Sequence, residues 1–174
     1  PGQVQTAEFT VAGLGGATAV PAAVGLLSTE LATRYGGATP AQVMDYFRGD
    51  NSLEEAVGGV FRNRRDAAGT PIDIGDIVGS QPALMRGADD YGYSRLNALS
   101  SAARTAYSTF LTTKSSRVPA VFVGANSGMF HAFNASGDIA ANGGRELFAY
   151  VPSTARVQMG RLLDPGYQHR YIVD

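Results

Sequence analysis

Apolar and polar positions alternate with a period of two along Val118–Pro152. Val121 and Val123 alternate with Phe122, and Met129, His131 and Phe133 alternate with Phe130 and Ala132. That period belongs to a sheet whose two faces meet different surroundings. It predicts strands over Val118–Gly124, Met129–Ala135 and Arg145–Val151. Between the first two lies Ala125-Asn126-Ser127-Gly128, a tight-turn sequence, because Asn tolerates and Gly freely accepts positive φ. Ser136–Gly144, polar and glycine-rich, reads as a surface connection to the third strand.

Upstream the pattern turns helical. Thr39 reads as a cap and Pro40 as the first helical residue, followed by the apolar stripe Val43, Met44, Phe47 and a stop at Gly49. Ser52-x-x-Glu55 reads as a capping box opening a second short helix through Val57, weakened by Gly58-Gly59. Thr70–Ser80 places Ile72, Ile74, Ile77 and Val78 around Asp73 and Asp76, which predicts an edge strand. Pro82–Arg86 reads as another short strand and Asp89–Tyr93 as a loop. Tyr107–Leu111 then leads through the basic turn Lys114–Arg117 into the hairpin. Beyond the hairpin, Val151–Thr154 caps a short helix with Val157, Met159, Leu162 and Leu163 on its apolar face. Asp164-Pro165-Gly166 turns the chain, and Tyr167, His169 and Tyr171 share one face of a closing strand. At the other end, Phe9–Leu27 is apolar but broken by Gly13, Gly15, Gly16, Pro21 and Gly25. It reads as a docked segment rather than a membrane span: a strand near Gln5–Val11, a bend, and a helix over Ala22–Tyr35 ending at Gly36-Gly37.

Composition narrows the function. The net charge of -1 provides no global field toward nucleic acid or anionic lipid. With no Cys, neither a disulfide framework nor a thiolate metal site can form. A chain with 22 Gly and only 17% charged residues suits a turn-rich extracellular or periplasmic β protein. The opening, from Pro1, lacks the basic region of a signal peptide.

Candidate chemistry is sparse. Arg62, Arg64 and Arg65 read as a solvated face or as partners of Asp66, Asp73 and Asp76, since nucleic-acid binding wants a basic domain with interleaved aromatics. Arg48-Gly49-Asp50 spells the tripeptide that integrins recognise, and reads as a helix end: Arg48 pairs locally, Gly49 terminates the helix and Asp50 caps the next segment. Asp73 and Asp76 could offer oxygens to calcium, but the D-x-[DN]-x-[DN]-G loop is absent. His131 and His169 lack a third ligand at zinc spacing, so structural hydrogen-bonding roles are expected. Gly13-Leu14-Gly15-Gly16 lacks the context of a dinucleotide site, and G-x-S-x-G, the phosphate loop and H-E-x-x-H do not occur. The carboxylates form no evident acid–base pair.

The segment V-F-V-G-A-N-S-G-M-F-H-A-F-N-A-S-G with G-R-E-L-F-A-Y-V-P resembles a blade of a quinoprotein-like β-propeller. More narrowly it resembles the C-terminal propeller of the type IV pilus biogenesis and tip-adhesin family of the PilC/PilY type. Further pieces match in order: Tyr46-Phe47-Arg48-Gly49-Asp50, Phe61-Arg62-x-Arg64, Gly75-Asp76-Ile77-Val78-x-Ser80-x-Pro82, and Tyr167-x-His169-x-Tyr171-x-Val173-Asp174. The resemblance covers about residues 43–174. It implies a mainly β fold, a partial β-propeller of four-stranded antiparallel blades preceded by short helices. A blade takes about 40–45 residues, so a fragment is implied: a leading segment over 1–39, short helices over 40–66 and the first blades over 67–174. The blade-motif residues carried over are Gly124, Asn126, Gly128, His131, Asn134, Glu146, Phe148 and His169, all structural. Asn134 stands where Asp is usual and Phe148 where Trp is usual. The implied function is non-enzymatic: pilus biogenesis and surface adhesion at the pilus tip or outer membrane surface of a Gram-negative-type bacterium, in contact with minor pilins and a host or abiotic surface. No cofactor is implied here, and calcium is implied only in a later propeller loop beyond these residues. The alternative is a periplasmic quinoprotein-like enzyme or scaffold using pyrroloquinoline quinone, for which no calcium ligands or flat aromatic platform can be named.

Overall fold

The computed structural model of the chain describes residues 31–36, 38–140 and 142–174. Residues 31–34 are helical; the remainder of the helix expected over Ala22–Tyr35, the strand near Gln5–Val11 and the apolar run Phe9–Leu27 lie outside the described residues, as does the Val157 side chain. Among the described residues no helix is long and apolar enough to cross a membrane.

The period-two stretch folds as read. Strands β2 (Ala120–Ala125), β3 (Met129–Asn134) and β4 (Glu146–Tyr150) form an antiparallel meander, and β1 (Ala83–Met85) pairs with β2 to complete a four-stranded sheet of order β1-β2-β3-β4. Gly128, at φ +84°, closes the β2–β3 turn with its N–H on the Ala125 carbonyl. The register sets Val123 opposite His131 and His131 opposite Ala149. A bulge between Ala132 and Phe133 lets β3 turn into the 136–144 loop. That register sorts the side chains: Val123, Ala125, Met129, His131 and Ala149 are buried on one face. Phe122, Phe130 and Phe148 gather on the other, with ring centroids 5.8 and 6.2 Å apart, and Phe130 stays exposed.

The buried face is covered by the chain's own helical elements. Helix α1 (Pro40–Phe47) starts at Thr39 in a full capping box with Gln42 and ends as Gly49 takes φ +100°. Its stripe Val43, Met44, Tyr46 and Phe47 joins Leu31, Phe61, Met129, Ala149, Met159, Leu162 and Leu163 in one core. Burial of that stripe holds a helix too short to persist alone.

The structure corrects several expectations. Thr70–Ser80 is not a strand: beyond a bridge between Arg65 and Pro71 it runs irregularly, because the N–H groups of Val78, Gly79 and Ser80 go to the Asp174 carboxylate and not to a neighbouring strand. The closing strand through Tyr167, His169 and Tyr171 is likewise irregular. Ser52 does not cap Glu55–Val57, a single 3₁₀ turn whose cap residue, Glu54, provides no capping bond; Ser52 bonds to Asp50 instead. No Ser or Thr side chain caps α3 (Arg156–Met159), which starts from Ala155. Between β1 and β2, where only a loop and a basic turn were expected, stands the 14-residue helix α2 (Ser101–Lys114), capped by Ser100.

Candidate functional site

Three separated sequence blocks meet at the β2–β3 turn. The Asp174 carboxylate accepts three successive backbone N–H groups, from Val78 (2.8 Å), Gly79 (2.7 Å) and Ser80 (2.5 Å). The Ser80 hydroxyl accepts the Gly124 N–H at 3.0 Å. Asn126 works in both directions: its amide donates to Asp76 Oδ2 at 3.2 Å, and its carbonyl oxygen accepts the Ile172 N–H at 2.9 Å. His169 Nε2 lies 2.8 Å from the same Asp76 oxygen. Two glycines make the approach possible. A Cβ on Gly75 would sit 2.1 Å from Ser127 N, and one on Gly124 would sit 2.1 Å from the Val173 carbonyl oxygen. These backbones cross too closely for any side chain.

The clasp is polar and titratable. Desolvation works to raise the Asp174 carboxyl, but the N–H groups of Gly79, Ser80 and Val78 and the Asn126 amide outweigh it and hold it below the usual carboxylate range. A carboxyl depressed in the folded state contributes stability above its unfolded value, about 3.9, and that contribution is lost as pH falls through the lower folded value. Amide protection at Val78, Gly79 and Ser80, read by hydrogen exchange, is therefore expected to hold from neutral pH down to about 4 and to decline below it. Asp174→Asn should lower protection of these three amides already at neutral pH; unchanged protection would contradict the clasp.

Beside the clasp, Ser127 Oγ lies 3.0 Å from His131 Nε2, and His131 Nδ1 lies 2.6 Å from Glu146 Oε1. His131 is buried and Glu146 largely so. A hydroxyl, an imidazole and a carboxylate in that order match the connectivity of an activated serine. The neighbouring turn amides are committed elsewhere, Gly128 N–H to Ala125 and Asn126 N–H to Asp76. The relay thus ties the turn to β4 across the sheet and fixes its register.

On the other side of the turn the arginines find an anchor different from the one expected. Glu54 is fully buried and lies between Arg64, at 3.2 Å, and Arg65, whose Nε stands 3.2 Å from Oε2 as a charge contact without hydrogen-bond alignment. Arg64 also donates to the Tyr46 and Asp50 carbonyls and lies 3.7 Å over the Tyr46 ring. Tyr46 in turn directs its hydroxyl at the Arg62 and Leu162 carbonyls. Burial raises the Tyr46 hydroxyl above the ordinary tyrosine value, and the Arg64 charge works against it. Arg48, by contrast, pairs locally with Asp45, as read from the sequence. Asp76, Asn126 and His169 of the clasp, the Arg64 network and the apolar floor of Phe47, Met129 and Leu162 line an open cleft of about 460 Å³. Arg62, Asp73, Asp76 and His169 stand on its walls, so it offers both charges above an apolar base.

The residues singled out by sequence divide among four places. Gly124, Asn126, Gly128 and His169 build the clasp and turn, and His131 and Glu146 form the relay. Asn134 sits apart, where its side chain accepts the Ser136 N–H and its backbone pairs with Gly144 and Arg145 to close the 136–144 loop. Phe148 lies on the opposite face against Phe122. Sequence reasoning did not single out Glu54, Ser127 or Asp174 as site residues. Asp174 closes a quoted motif, and its distance from Ser80 hid the contact. Among the described residues no cluster of three or more His, Asp or Glu side chains is placed to hold a metal ion.

Comparison with known proteins supplies the context. The family described as the PilY1 beta-propeller domain matches residues 74–162. Two proteins of Xylella fastidiosa named type IV pilus biogenesis factor PilY1 homolog are 39% and 36% identical over 77% and 78% of this chain. The type IV pilus biogenesis factor PilY1 of Pseudomonas aeruginosa strain PAK is 34% identical over 74% of it. The match occupies 10%, 9% and 10% of those relatives, so the chain spans about a tenth of their length. No solved structure gives a significant match.

Proposed function

The chain belongs to the PilY1 beta-propeller family of type IV pilus factors, and from that premise we propose that it is one braced blade of a non-enzymatic pilus-tip adhesin and assembly factor. The observation that carries the reading is how the polar groups are used. Asp76, Asn126, His169 and Asp174 bond to one another and to backbone, and Ser127, His131 and Glu146 join two strands. Such networks rigidify a sheet. In this reading residues 67–174 begin the wheel, residues 40–66 cover its first blade, and 1–39 lead into it. The intact protein acts outside the cell at the pilus tip or the outer membrane surface, contacts minor pilins, supports pilus extension and meets the host or abiotic surface. Calcium, if the intact protein takes it, belongs to a later propeller loop.

The test is co-purification of the full-length protein with minor pilins, together with pilus counts in a strain lacking its gene. Loss of pili that the intact gene restores, with minor pilins recovered in complex, supports the reading; normal piliation in the deletion strain contradicts it. A serine-directed fluorophosphonate is expected to leave Ser127 unlabelled. A covalent adduct at Ser127 would show that the relay performs chemistry and would replace the scaffold reading with an acyl-transfer enzyme.

A further inference from the structure

The connection between β3 and β4 holds a reactive pair that neither the clasp nor the relay uses. Asn142 is the one Asn of the chain that precedes a glycine; Asn51, Asn63, Asn97, Asn126 and Asn134 are followed by Ser, Arg, Ala, Ser and Ala. Asn before Gly is the pairing most prone to deamidate, because no side chain hinders the glycine nitrogen as it approaches the Asn side-chain carbonyl carbon. Asn142 is exposed, and among the described residues its side-chain amide has no hydrogen-bond partner. Asn126 and Asn134, by contrast, are buried, and their side chains are bonded to Asp76, Ile172 and Ser136.

The backbone around Asn142 holds the reaction back. Asn142 takes φ +67°, a left-handed conformation that Asn tolerates. Its N–H bonds the Ile139 carbonyl at 3.1 Å, and its carbonyl accepts the Arg145 N–H at 3.1 Å. The Gly143 N–H, whose nitrogen is the attacking atom, bonds the Asp138 carbonyl at 2.9 Å. That nitrogen must lose its proton before it attacks, and a bonded amide is released for this by local opening. It must also swing toward Asn142. A Cβ on Gly143 would stand 2.5 Å from the Ser136 carbonyl oxygen, so the chain is packed too closely to turn while the loop stays closed.

We propose that Asn142 is a modification site, converted to isoaspartate and aspartate at a rate set by opening of the Asp138–Gly143 hydrogen bond. Once the bond opens, hydroxide takes the Gly143 amide proton and the nitrogen attacks Asn142 Cγ. The new C–N bond forms, the bond from Cγ to the side-chain nitrogen breaks, and ammonia leaves. Water then adds to a carbonyl of the resulting succinimide and opens the ring. Opening at the backbone carbonyl gives isoaspartate, and opening at the side-chain carbonyl gives aspartate. One water is consumed, one ammonia is released and one carboxylate is gained, with no change of oxidation state. Isoaspartate routes the chain through the former side chain and so lengthens the backbone by one carbon. The Gly144 N–H to Asn134 carbonyl bond and the Asn134 N–H to Arg145 carbonyl bond, each 2.8 Å, then lose their register. Those bonds place the start of β4, where Glu146 holds His131.

The experiment ages the purified full-length protein at mildly alkaline pH beside a synthetic peptide of residues 136–145. Tandem mass spectrometry assigns the conversion among Asn126, Asn134 and Asn142, isoaspartyl methyltransferase measures isoaspartate, and hydrogen exchange reads the opening at Gly143. In the folded protein Asn142 is expected to convert before Asn126 and Asn134, and about tenfold or more slower than in the peptide. That retardation should equal the protection of Gly143 against exchange, since one opening frees the amide for both reactions. Gly144→Ala is expected to speed both by about fivefold or more, because its Cβ meets nothing within 4 Å while φ +79° strains a residue with a side chain. Circular dichroism confirms that this variant is folded. Aged protein is expected to exchange faster over β4 than fresh protein. Conversion as fast as in the peptide, or first at Asn126 or Asn134, would overturn the proposal. So would an Asn142 still intact after the time its measured protection predicts for conversion, or an unchanged rate in folded Gly144→Ala.

Discussion

Phe61→Ala is expected to lower the unfolding free energy by about 4 kcal/mol, the middle of the range for removing a buried aromatic ring. Phe61 has no exposed surface, and its ring lies 5.0 Å from Tyr46 and 6.0 Å from Tyr35. Its backbone is equally committed: its N–H bonds the Leu53 carbonyl and its carbonyl accepts the Glu55 N–H. Those bonds fix where the ring enters, so neighbours cannot slide in to fill the space, and an unfilled cavity adds to the lost transfer energy. Phe61→Leu keeps most of the volume and should cost about 1.5 kcal/mol or less. Urea unfolding followed by tyrosine fluorescence measures both. A loss under about 1 kcal/mol for the alanine variant would mean that Phe61 does not anchor the cover over the sheet.

Glu54→Ala is expected to cost about 3 kcal/mol, because it leaves two guanidinium groups beside a vacated, water-poor site. Both partners stay partly solvated, Arg64 at 12% and Arg65 at 23% side-chain exposure, which keeps the figure at the lower end of the buried-pair range. Arg64 retains the Tyr46 and Asp50 carbonyls, so the damage should centre on Arg65 and on the isolated parallel β-bridge that pairs the Glu54 and Phe61 backbones. Hydrogen exchange in peptides spanning 53–65 reads this directly. Combining Glu54→Leu with Arg65→Met should recover much of the loss, since an apolar pair of similar volume avoids the desolvation cost while Arg64 keeps its carbonyl partners. A double variant no better than Glu54→Ala would show that the charges themselves stabilise the fold.

The parts of this fold that were legible in the sequence are those where a local rule and the tertiary environment agree. Val118–Pro152 alternates because each strand has one covered face, and the Asn-x-Gly turn supplies the positive φ the hairpin needs. Thr39-Pro40 and Gly49 bound α1 because caps are local. Legibility ended where an element is held from afar. Thr70–Ser80 alternates like a strand, yet the N–H groups of Val78, Gly79 and Ser80 are bonded by a carboxylate 94 to 96 residues later. Helix α2 shows only a narrow apolar stripe, Ala103, Tyr107, Phe110 and Leu111, among many Ser and Thr. Its Thr105, Thr109, Thr112 and Thr113 hydroxyls bond the carbonyls four residues back, so these β-branched residues sit in a helix that composition alone argues against. Glu54 and Glu55 are adjacent acids of which one is fully buried and the other exposed; nothing local distinguishes them. The candidate site was legible as separate motifs, and only the fold showed that they converge on one turn.

If the clasp braces a blade on which pilus assembly depends, Gly124 is its most sensitive point, since any side chain there would collide with the Val173 carbonyl. The decisive measurement is the amount of pilin sheared from cells whose full-length gene carries Gly124→Val, compared with the parent at matched growth and with the protein level followed by immunoblot. Surface pilin is expected to fall to the level of the gene deletion. Parental amounts of surface pili, with the variant protein present at its normal level, would contradict the bracing role of the clasp.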